Sequence, residues 1–189
     1  MPSSLRPAGK GERGAAVVLG IEGYEPQWHH DGRTLAAAHR HAFRKVLDQP
    51  LVGSWLMWDL TARVWFADGP VILGFGDQNV EITHRKFDEC AITWNQVDMS
   101  MPPDWPGFEL DWRSDTNSAL TRLRGRRLRE VNVIERIMAA HWRPHVLHAI
   151  ELRFETGRLS VYNALDENGI NDDDEVDLPV GRWRRVSIA

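Results

Sequence analysis

The stretch IELRFETGRLSVYN, residues 150–163, decides the fold class of this sequence. Apolar and polar residues alternate on either side of the segment ETGR, with the apolar ones at Ile150, Leu152, Phe154, Leu159 and Val161. Alternation with a period of two places apolar side chains on one face of a strand, and a short segment containing Gly joins antiparallel strands. The stretch therefore predicts a β-hairpin with one buried face.

The same kind of pattern continues through most of the chain from residue 51 onward. Short runs of aromatic and β-branched residues, separated by Gly, Asp and Asn, predict further strands in SWLMWDL, ARVWFA, PVILGF, NVEITH, ECAITWNQVDM, RRLREVNVIERIMA and GRWRRVSIA. An amphipathic stretch at residues 34–47 predicts a helix, with Asp31 or Thr34 as its cap and basic residues in its final turns. A second, short helix is predicted in SDTNSALTRLRG, capped by Ser114 or Asp115.

Two parts of the chain resemble each other. L-x-G-x-x-L occurs at residues 51–56 and 123–128, and L-x-F occurs at 73–75 and 152–154. From each Phe onward the spacing of the shared residues is equal, and the pairs are Val80 with Leu159, Ile82 with Val161, Phe87-Asp88-Glu89 with Leu165-Asp166-Glu167, and Ile92 with Ile170. Because the shared motifs follow one another in the same order in both parts, they predict an internal duplication. The alternative is that two antiparallel meanders look alike without common origin.

We therefore expect an α+β fold that is rich in β-structure, in which an N-terminal helix accompanies two related β-units. Units side by side bury each other's apolar faces and leave few free edges, as a sandwich or a partly open barrel with pseudo-twofold symmetry. The expected segments are a flexible N-terminal tail (1–20), an N-terminal strand and helix (21–50), a first β-unit with a Pro/Trp-rich loop (51–117), and a second β-unit with the C-terminal strand (118–189).

Composition narrows the classes of function. The net charge is −4 over 189 residues, so neither a nucleic acid nor a membrane is the expected partner. The single cysteine, Cys90, excludes an internal disulfide framework and favours a cytoplasmic protein. The sequence contains no G-x-S-x-G elbow, P-loop or suitably placed G-x-G-x-x-G, and Cys90 reads as a small buried thiol. We predict no catalytic residue and no cofactor.

Histidines form one cluster with metal-like spacing. His141, His145 and His148 have intervals of four and three, which would align them on a helix. Pro144 lies between them and disfavours a helix there. A polar loop between strands is therefore the favoured interpretation, and no metal site is predicted from these residues.

The acidic segment YNALDENGINDDDEVD, residues 162–177, resembles a calcium loop. With Gly169 at the sixth position of an EF-hand loop, oxygen-bearing side chains fall on positions three, five, nine and twelve. Position one is Ala164, which has no side-chain oxygen, and no helices are predicted on either side. The sequence predicts a turn at Asp-Glu-Asn-Gly and a solvated acidic face, rather than a metal site.

The pairing of L-x-G-x-x-L with an L-x-F hairpin and VYNALDENG resembles uncharacterised actinobacterial proteins with no assigned activity. It is also similar to small β-domains among bacterial immunity proteins. The resemblance spans about residues 51–171 and rests on structural motifs. It implies a bacterial β-domain and carries over no catalytic residue.

The function predicted from these features is that of a non-enzymatic protein-binding factor, such as an immunity or regulatory protein. Its partner-binding residues are predicted in the acidic segment, at Asp166, Glu167, Asn168, Asp172, Asp173, Asp174 and Glu175. The alternative is a β-domain, with or without enzymatic activity, that binds a small ligand in a pocket between the two units. Trp is abundant, with nine residues, and the predicted pocket residues are Trp55, Trp58, Trp94, His141 and His145.

Overall fold

The computed structural model describes residues 17–138, 145–172 and 181–189. These ranges contain two helices and thirteen strands: β1 (Val17–Val18), β2 (Ile21–Glu22), α1 (Gly32–Val46), β3 (Leu51–Asp59), β4 (Val64–Trp65), β5 (Val71–Phe75), β6 (Gln78–Arg85), β7 (Glu89–Trp94), β8 (Leu110–Ser114), α2 (Ser118–Leu123), β9 (Leu128–Ile137), β10 (His145–Phe154), β11 (Arg158–Asn163), β12 (Asn168–Asn171) and β13 (Arg182–Ser187). The prediction of a β-rich chain with an N-terminal helix is confirmed. Neither helix in these ranges has the length and apolar character needed to cross a membrane.

The hairpin predicted at residues 150–163 is formed by β10 and β11. Leu152 pairs with Leu159 and Ile150 pairs with Val161 in antiparallel register. All four side chains are fully buried, as the alternation of apolar residues predicted. Gly157 has a φ of +87° in the connecting turn, a conformation that an L-residue adopts only at a cost.

The strands form two large antiparallel sheets and one small hairpin. One sheet has six strands, in the order β4-β3-β5-β6-β7, with β8 paired to β3 as well. The other has five strands, in the order β12-β11-β10-β9-β13. Strands β1 and β2 pair with each other, so described residues of the predicted flexible tail belong to a hairpin.

A single hydrophobic core joins the two large sheets. It contains apolar side chains from both, and the rings of Phe75 in β5 and Phe154 in β10 stack with centroids 6.4 Å apart. Helix α1 adds Leu35 and Phe43 to this core, both fully buried. Packing of two sheets around shared apolar side chains is the arrangement that hides the inward face of each sheet from water.

The six-stranded sheet is covered on its other face too. Met57 in β3 and Ile72 in β5 belong to a second apolar cluster, which includes Tyr24 and Trp112. Neighbours in sequence point to opposite faces of a strand. Because both faces are covered, all five residues of β5 are buried, and the strand reads as a continuous apolar run.

Capping side chains set where the helices begin. The Asp31 carboxylate accepts hydrogen bonds from the backbone N–H groups of Arg33 and Thr34, both at 3.0 Å, so Asp31 caps α1. Helix α2 begins at Ser118, and its cap is Asn117, whose side-chain oxygen accepts from Ala119 at 2.9 Å. The predicted caps Ser114 and Asp115 are wrong, because β8 extends through Ser114 and Asp115 follows it with a positive φ.

The two L-x-G-x-x-L motifs occupy unlike structures. Residues 51–56 lie inside β3, whereas residues 123–128 span the end of α2, a turn and the first residue of β9. Each large sheet nevertheless contains four strands that follow one another in the same order: β3-β5-β6-β7 in one sheet and β9-β10-β11-β12 in the other. The L-x-F motifs and the residues that follow them thus lie on corresponding strands of the two sheets, whereas the two L-x-G-x-x-L motifs do not.

Candidate functional site

The turns of the two large sheets meet at one end of the molecule, where two asparagines connect them. Asn163, at the end of β11, donates from Nδ2 to the carbonyl oxygen of Lys86 in the β6–β7 turn, at 2.7 Å. Asn168, at the start of β12, donates to the carbonyl oxygens of Ala67 at 3.1 Å and Gly69 at 2.8 Å. These bonds place three loops side by side: 66–70, 85–89 and 163–168.

Asn168 is buried and holds His84. Its Oδ1 accepts from the backbone N–H of His84 at 2.9 Å and lies 3.1 Å from His84 Nδ1. Because the Asn168 amide nitrogen already donates to two carbonyls, its oxygen must accept, which makes Nδ1 the protonated ring nitrogen. Burial lowers the pKa of His84 to about 4, so the ring is neutral at pH 7.

The β11–β12 turn carries the most unusual backbone in this region. Leu165 and Asp166 have φ values of +66° and +82°. Two consecutive positive φ values are typical of type I′ turns, which Asn-Gly satisfies at the lowest cost. The Asn163 side-chain oxygen supports this turn by accepting from the N–H groups of Leu165 at 3.1 Å and Asp166 at 3.3 Å.

The predicted turn at Asp-Glu-Asn-Gly is therefore displaced. The turn is centred on Leu165 and Asp166, and Asn168-Gly169 begins strand β12. Gly169 is required there for a different reason, because a β-carbon at this position would overlap the ring of Tyr162 on the neighbouring strand. Sequence reasoning assigned Gly169 to turn geometry, whereas the structure shows a close approach between strands.

Two large apolar side chains project from adjacent turns. Phe87 is 71% exposed in the β6–β7 turn, and Leu165 is 77% exposed in the β11–β12 turn. Asp166 and Glu167 are exposed next to Leu165. We call the surface formed by Phe87, Leu165, Asp166 and Glu167 the tip surface.

The tip surface has an acidic side. Asp68, in the loop that Asn168 holds, has its pKa raised by partial burial and then by the neighbouring Asp166 carboxylate. On the other side, Glu89 pairs with Arg85 and with Lys86 at 2.7 Å, so the charges around Phe87 are largely compensated. Among the described residues, the carboxylates of this region that form no ion pair, Asp68, Asp166 and Glu167, therefore lie on the side of Leu165.

The predicted partner-binding residues separate in the structure. Asp166 and Glu167 lie on the tip surface, but Asn168 is only 2% exposed and its side chain is used in internal hydrogen bonds. Asp172 pairs with Arg122 beyond the far end of β12. The remaining predicted positions lie outside the described residues: Asp173, Asp174 and Glu175.

Sequence reasoning missed both apolar members of the tip surface. The one available signal was the equal placement of Phe87-Asp88-Glu89 and Leu165-Asp166-Glu167, which puts a large apolar residue before Asp-Glu in both turns. Asn163 supports the Leu165 turn through local hydrogen bonds and joins it to the Phe87 turn through the bond to Lys86, and this second bond does not appear in a sequence pattern.

The predicted pocket residues do not converge among the described residues. Trp55 packs with the second apolar cluster, whereas Trp94 packs against the first, with its ring centroid 4.9 Å from that of Phe43. Trp58 pairs with Trp65 across β3 and β4. His145 begins β10, and His141 lies outside the described residues.

Four cavities lined by described residues lie in other parts of the molecule. The largest of those described, about 330 Å³, lies beside the β1–β2 hairpin and is lined partly by Ile21, Asp98, Asp104 and Trp112. None of the five predicted pocket residues lines a cavity described within these ranges.

Histidines also gather near Cys90. The rings of His29 and His39 meet edge to face at 5.8 Å, and Trp94 Nε1 donates to His39 Nδ1 at 3.2 Å. Burial, followed by the neighbouring His29, lowers the pKa of His39 to about 4. Burial raises the pKa of the Cys90 thiol, which disfavours a nucleophilic thiolate. No group of three or more His, Cys, Asp or Glu residues in the described ranges is arranged to hold a metal ion.

Three fully buried glutamates have structural partners. Glu81 accepts from the backbone N–H groups of Gln96 at 2.8 Å and Val97 at 2.9 Å. Glu135 pairs with Arg184 and accepts from Gly32 N–H at the start of α1, and Glu151 pairs with Arg153 and Arg185. Buried carboxylates with several donors each hold strands and loops together.

Comparisons of the chain with protein-family models, with curated proteins and with solved structures find no match.

Proposed function

We propose that the protein binds another protein through the tip surface. The observation that carries the proposal is Leu165, a large apolar residue that is 77% exposed at a φ of +66°. A left-handed backbone costs a non-glycine residue about 1–2 kcal/mol, and an exposed leucine recovers little of that cost by burial. A residue whose backbone conformation is unfavourable, and whose side chain is exposed, is an outlier that suggests a function.

Phe87 supplies the second anchor of the same surface. Its turn is attached to that of Leu165 through the 2.7 Å hydrogen bond from Asn163 to Lys86. Full burial of a Phe or Leu side chain contributes about 1.5–3 kcal/mol each, so the pair can serve as the centre of an interface. Because tertiary hydrogen bonds hold both turns, less conformational entropy is lost on binding.

The charge of the tip surface defines the partner. Asp166 and Glu167 are exposed beside Leu165, and Asp68 lies close enough for the Asp166 carboxylate to raise its pKa. The complementary surface is an apolar pocket rimmed by Lys or Arg. Such complementarity accelerates association and discriminates against acidic partners.

The test is site-specific photo-cross-linking from the tip surface. A photoreactive amino acid at Leu165 should cross-link one partner in a lysate of the organism that encodes the protein. The same amino acid at Val64, which is 53% exposed on β4, is the matched control and should not. Adding 0.5 M NaCl should weaken the cross-link, because it screens the acidic residues.

Two results would contradict this proposal. Equal cross-linking from positions 165 and 64 would show non-specific contact. A cross-link only to a second copy of the chain would show self-association instead of a separate partner.

Phe87→Ser should reduce the cross-link from position 165 without changing the thermal midpoint, because the Phe87 side chain, at 71% exposure, contributes little to the stability of the fold.

We also propose a role, a cellular location and an origin for this binding protein. A bacterial immunity or regulatory role is supported by the resemblance to small bacterial β-domains, and a cytoplasmic location by the single cysteine. Common origin of two β-units, with pseudo-twofold symmetry in a sandwich or partly open barrel, is supported by the four-strand order that occurs in both large sheets. Detection of the same duplication in related sequences would test it.

A further inference from the structure

An arginine-lined groove lies at the opposite end of β11 from the tip surface. It consists of two adjoining cavities, of about 260 Å³ and 230 Å³, that share Gly157 and Arg158. Arg122 and Arg126 also line the first cavity, and Arg153 lines the second. We call these two cavities the arginine groove. A strand rises about 3.3 Å per residue, so the groove and the tip surface are roughly 17 Å apart along β11.

Arg158 is the most informative residue of the groove. It is 9% exposed, and its Nε, itself buried, has no hydrogen-bond partner among the described residues. Its Nη1 is 3.6 Å from Glu151 Oε2, which is too long for a good hydrogen bond. A buried, charged group with an unused donor is costly unless something else pairs with it.

Glu151 does not fully compensate Arg158, because other groups already use its oxygens. Arg185 donates to both carboxylate oxygens at 3.0 Å, and Arg153 Nε donates to Oε1 at 3.0 Å. Asn132 Nδ2 donates to Oε1 as well, at 3.2 Å. Arg158, which lines both cavities, therefore shares the Glu151 carboxylate with Arg153 and Arg185 and has no carboxylate of its own among the described residues.

The first cavity also has an excess of positive charge. Its lining residues include three arginines, Arg122, Arg126 and Arg158, and one acidic residue, Asp172. Asp172 pairs with Arg122. Arg126 is exposed and forms no ion pair with any residue in the described ranges. Among the described residues, the first cavity thus has one arginine without an ion pair, Arg126, and a second, Arg158, that shares its carboxylate with other arginines.

We propose that the arginine groove binds the phosphate group of a small molecule, with Arg158 and Arg126 as its main ligands. The planar guanidinium fork matches the tetrahedral oxygens of phosphate and donates two parallel hydrogen bonds. A polynucleotide is not the occupant favoured by this chain, whose overall charge is −4. The proposal concerns a site separate from the tip surface and does not depend on the proposed protein partner.

The test titrates the full-length chain with inorganic phosphate in 0.15 M NaCl and measures binding by isothermal titration calorimetry. The wild type should show saturable 1:1 binding. Arg126→Gln changes an exposed residue and should weaken binding at least fivefold. Arg158→Lys keeps the charge but loses the fork, and it should weaken binding at least tenfold. Thermal melts of both variants identify any loss of folding.

Arg44→Gln is the matched control, because Arg44 is an exposed arginine on α1, outside the groove. It should bind phosphate like the wild type. Absence of saturable binding by the wild type would overturn the proposal, as would equal weakening by Arg44→Gln. Unchanged affinity in folded Arg126→Gln and Arg158→Lys would also overturn it.

A further variant tests whether the chain's own acidic residues, rather than an external phosphate group, bind to the arginine groove. Asp173→Asn, Asp174→Asn and Glu175→Gln together neutralise the acidic run that follows Asp172 in sequence. If phosphate binds only to this triple variant, the groove serves the chain's own acidic side chains and the proposal fails. Similar affinities in the wild type and the triple variant would support a site for an external phosphate group.

Discussion

Replacing Leu165 by Asn should stabilise the folded protein while weakening partner binding. The φ of +66° costs a leucine about 1–2 kcal/mol, and Asn adopts this region with a much smaller cost. Leu165 is 77% exposed, so roughly a quarter of its side chain is covered; that fraction of about 1.5–3 kcal/mol is roughly 0.5 kcal/mol. The expected net gain in the free energy of unfolding is about 1 kcal/mol.

Urea denaturation followed by Trp fluorescence measures this change. The midpoint should rise without a change in the slope m, and the thermal midpoint should rise by about 2–4 °C for a chain of this size. Val64→Asn is the matched control, since Val64 is also exposed but lies in β4. It should lose a few tenths of a kcal/mol, because Asn is unfavourable in strands.

Stability and cross-linking, measured together on Leu165→Asn, test whether Leu165 belongs to a binding surface. If Leu165→Asn lowers the free energy of unfolding by 1 kcal/mol or more, Leu165 contributes to packing and the argument from an exposed, costly residue is refuted. If it raises stability but does not weaken the partner cross-link formed by a photoreactive amino acid placed at position 87, Leu165 is not part of the interface. The predicted combination of higher stability and weaker binding is not expected of an ordinary turn residue.

Three further predictions concern the buried Asn168, the close approach of Gly169 to Tyr162, and the buried histidines. Asn168→Ala removes the hydrogen bonds that join His84 to two loop carbonyls and should lower the free energy of unfolding by about 2–4 kcal/mol, measured by urea denaturation; a loss below 0.5 kcal/mol would contradict this role. Gly169→Ala should lower the thermal midpoint by several degrees, because its β-carbon overlaps the Tyr162 ring, and Tyr162→Ala should remove that sensitivity. The pKa values of His84 and His39 are about 4 in the folded state and 6.5 in the unfolded state, so the stability gained from keeping both rings neutral is complete above pH 6.5 and is lost as the pH falls towards 4. Urea midpoints should fall over this pH range, and less steeply in His39→Gln. A flat profile would show that these rings do not become charged on unfolding.

Local pattern was sufficient for most of the strands. The alternation at Ile150, Leu152 and Phe154 predicted both the hairpin and its buried face, because period two is a property of a single strand. It was insufficient for β12, which is only four residues long and begins at Asn168-Gly169, a pair that favours turns. Tertiary hydrogen bonds to Asn168 outweigh that local preference.

The candidate sites depended on contacts between distant segments. Asn163 reaches Lys86, 77 positions away in sequence, and this bond places Phe87 near the turn of Leu165. Side chains at such separation have no shared periodicity, so no window of sequence contains both. The arginine groove also combines Arg122 of α2 with Gly157 of the β10–β11 turn, two segments that are distant in sequence.

The sequence by itself determined the β-rich class, the N-terminal helix and the inward face of the central hairpin, because these follow from the periodicity of side chains along one segment. Only the tertiary structure decided which polar groups are enclosed and which apolar ones project. The fully buried His84 and the exposed Leu165 are both contrary to their ordinary preferences. The physical reason is that Asn168 supplies hydrogen-bond partners to the buried His84 across the two sheets, while Asn163 supports the Leu165 turn locally and joins it to the carbonyl of Lys86 on the other sheet.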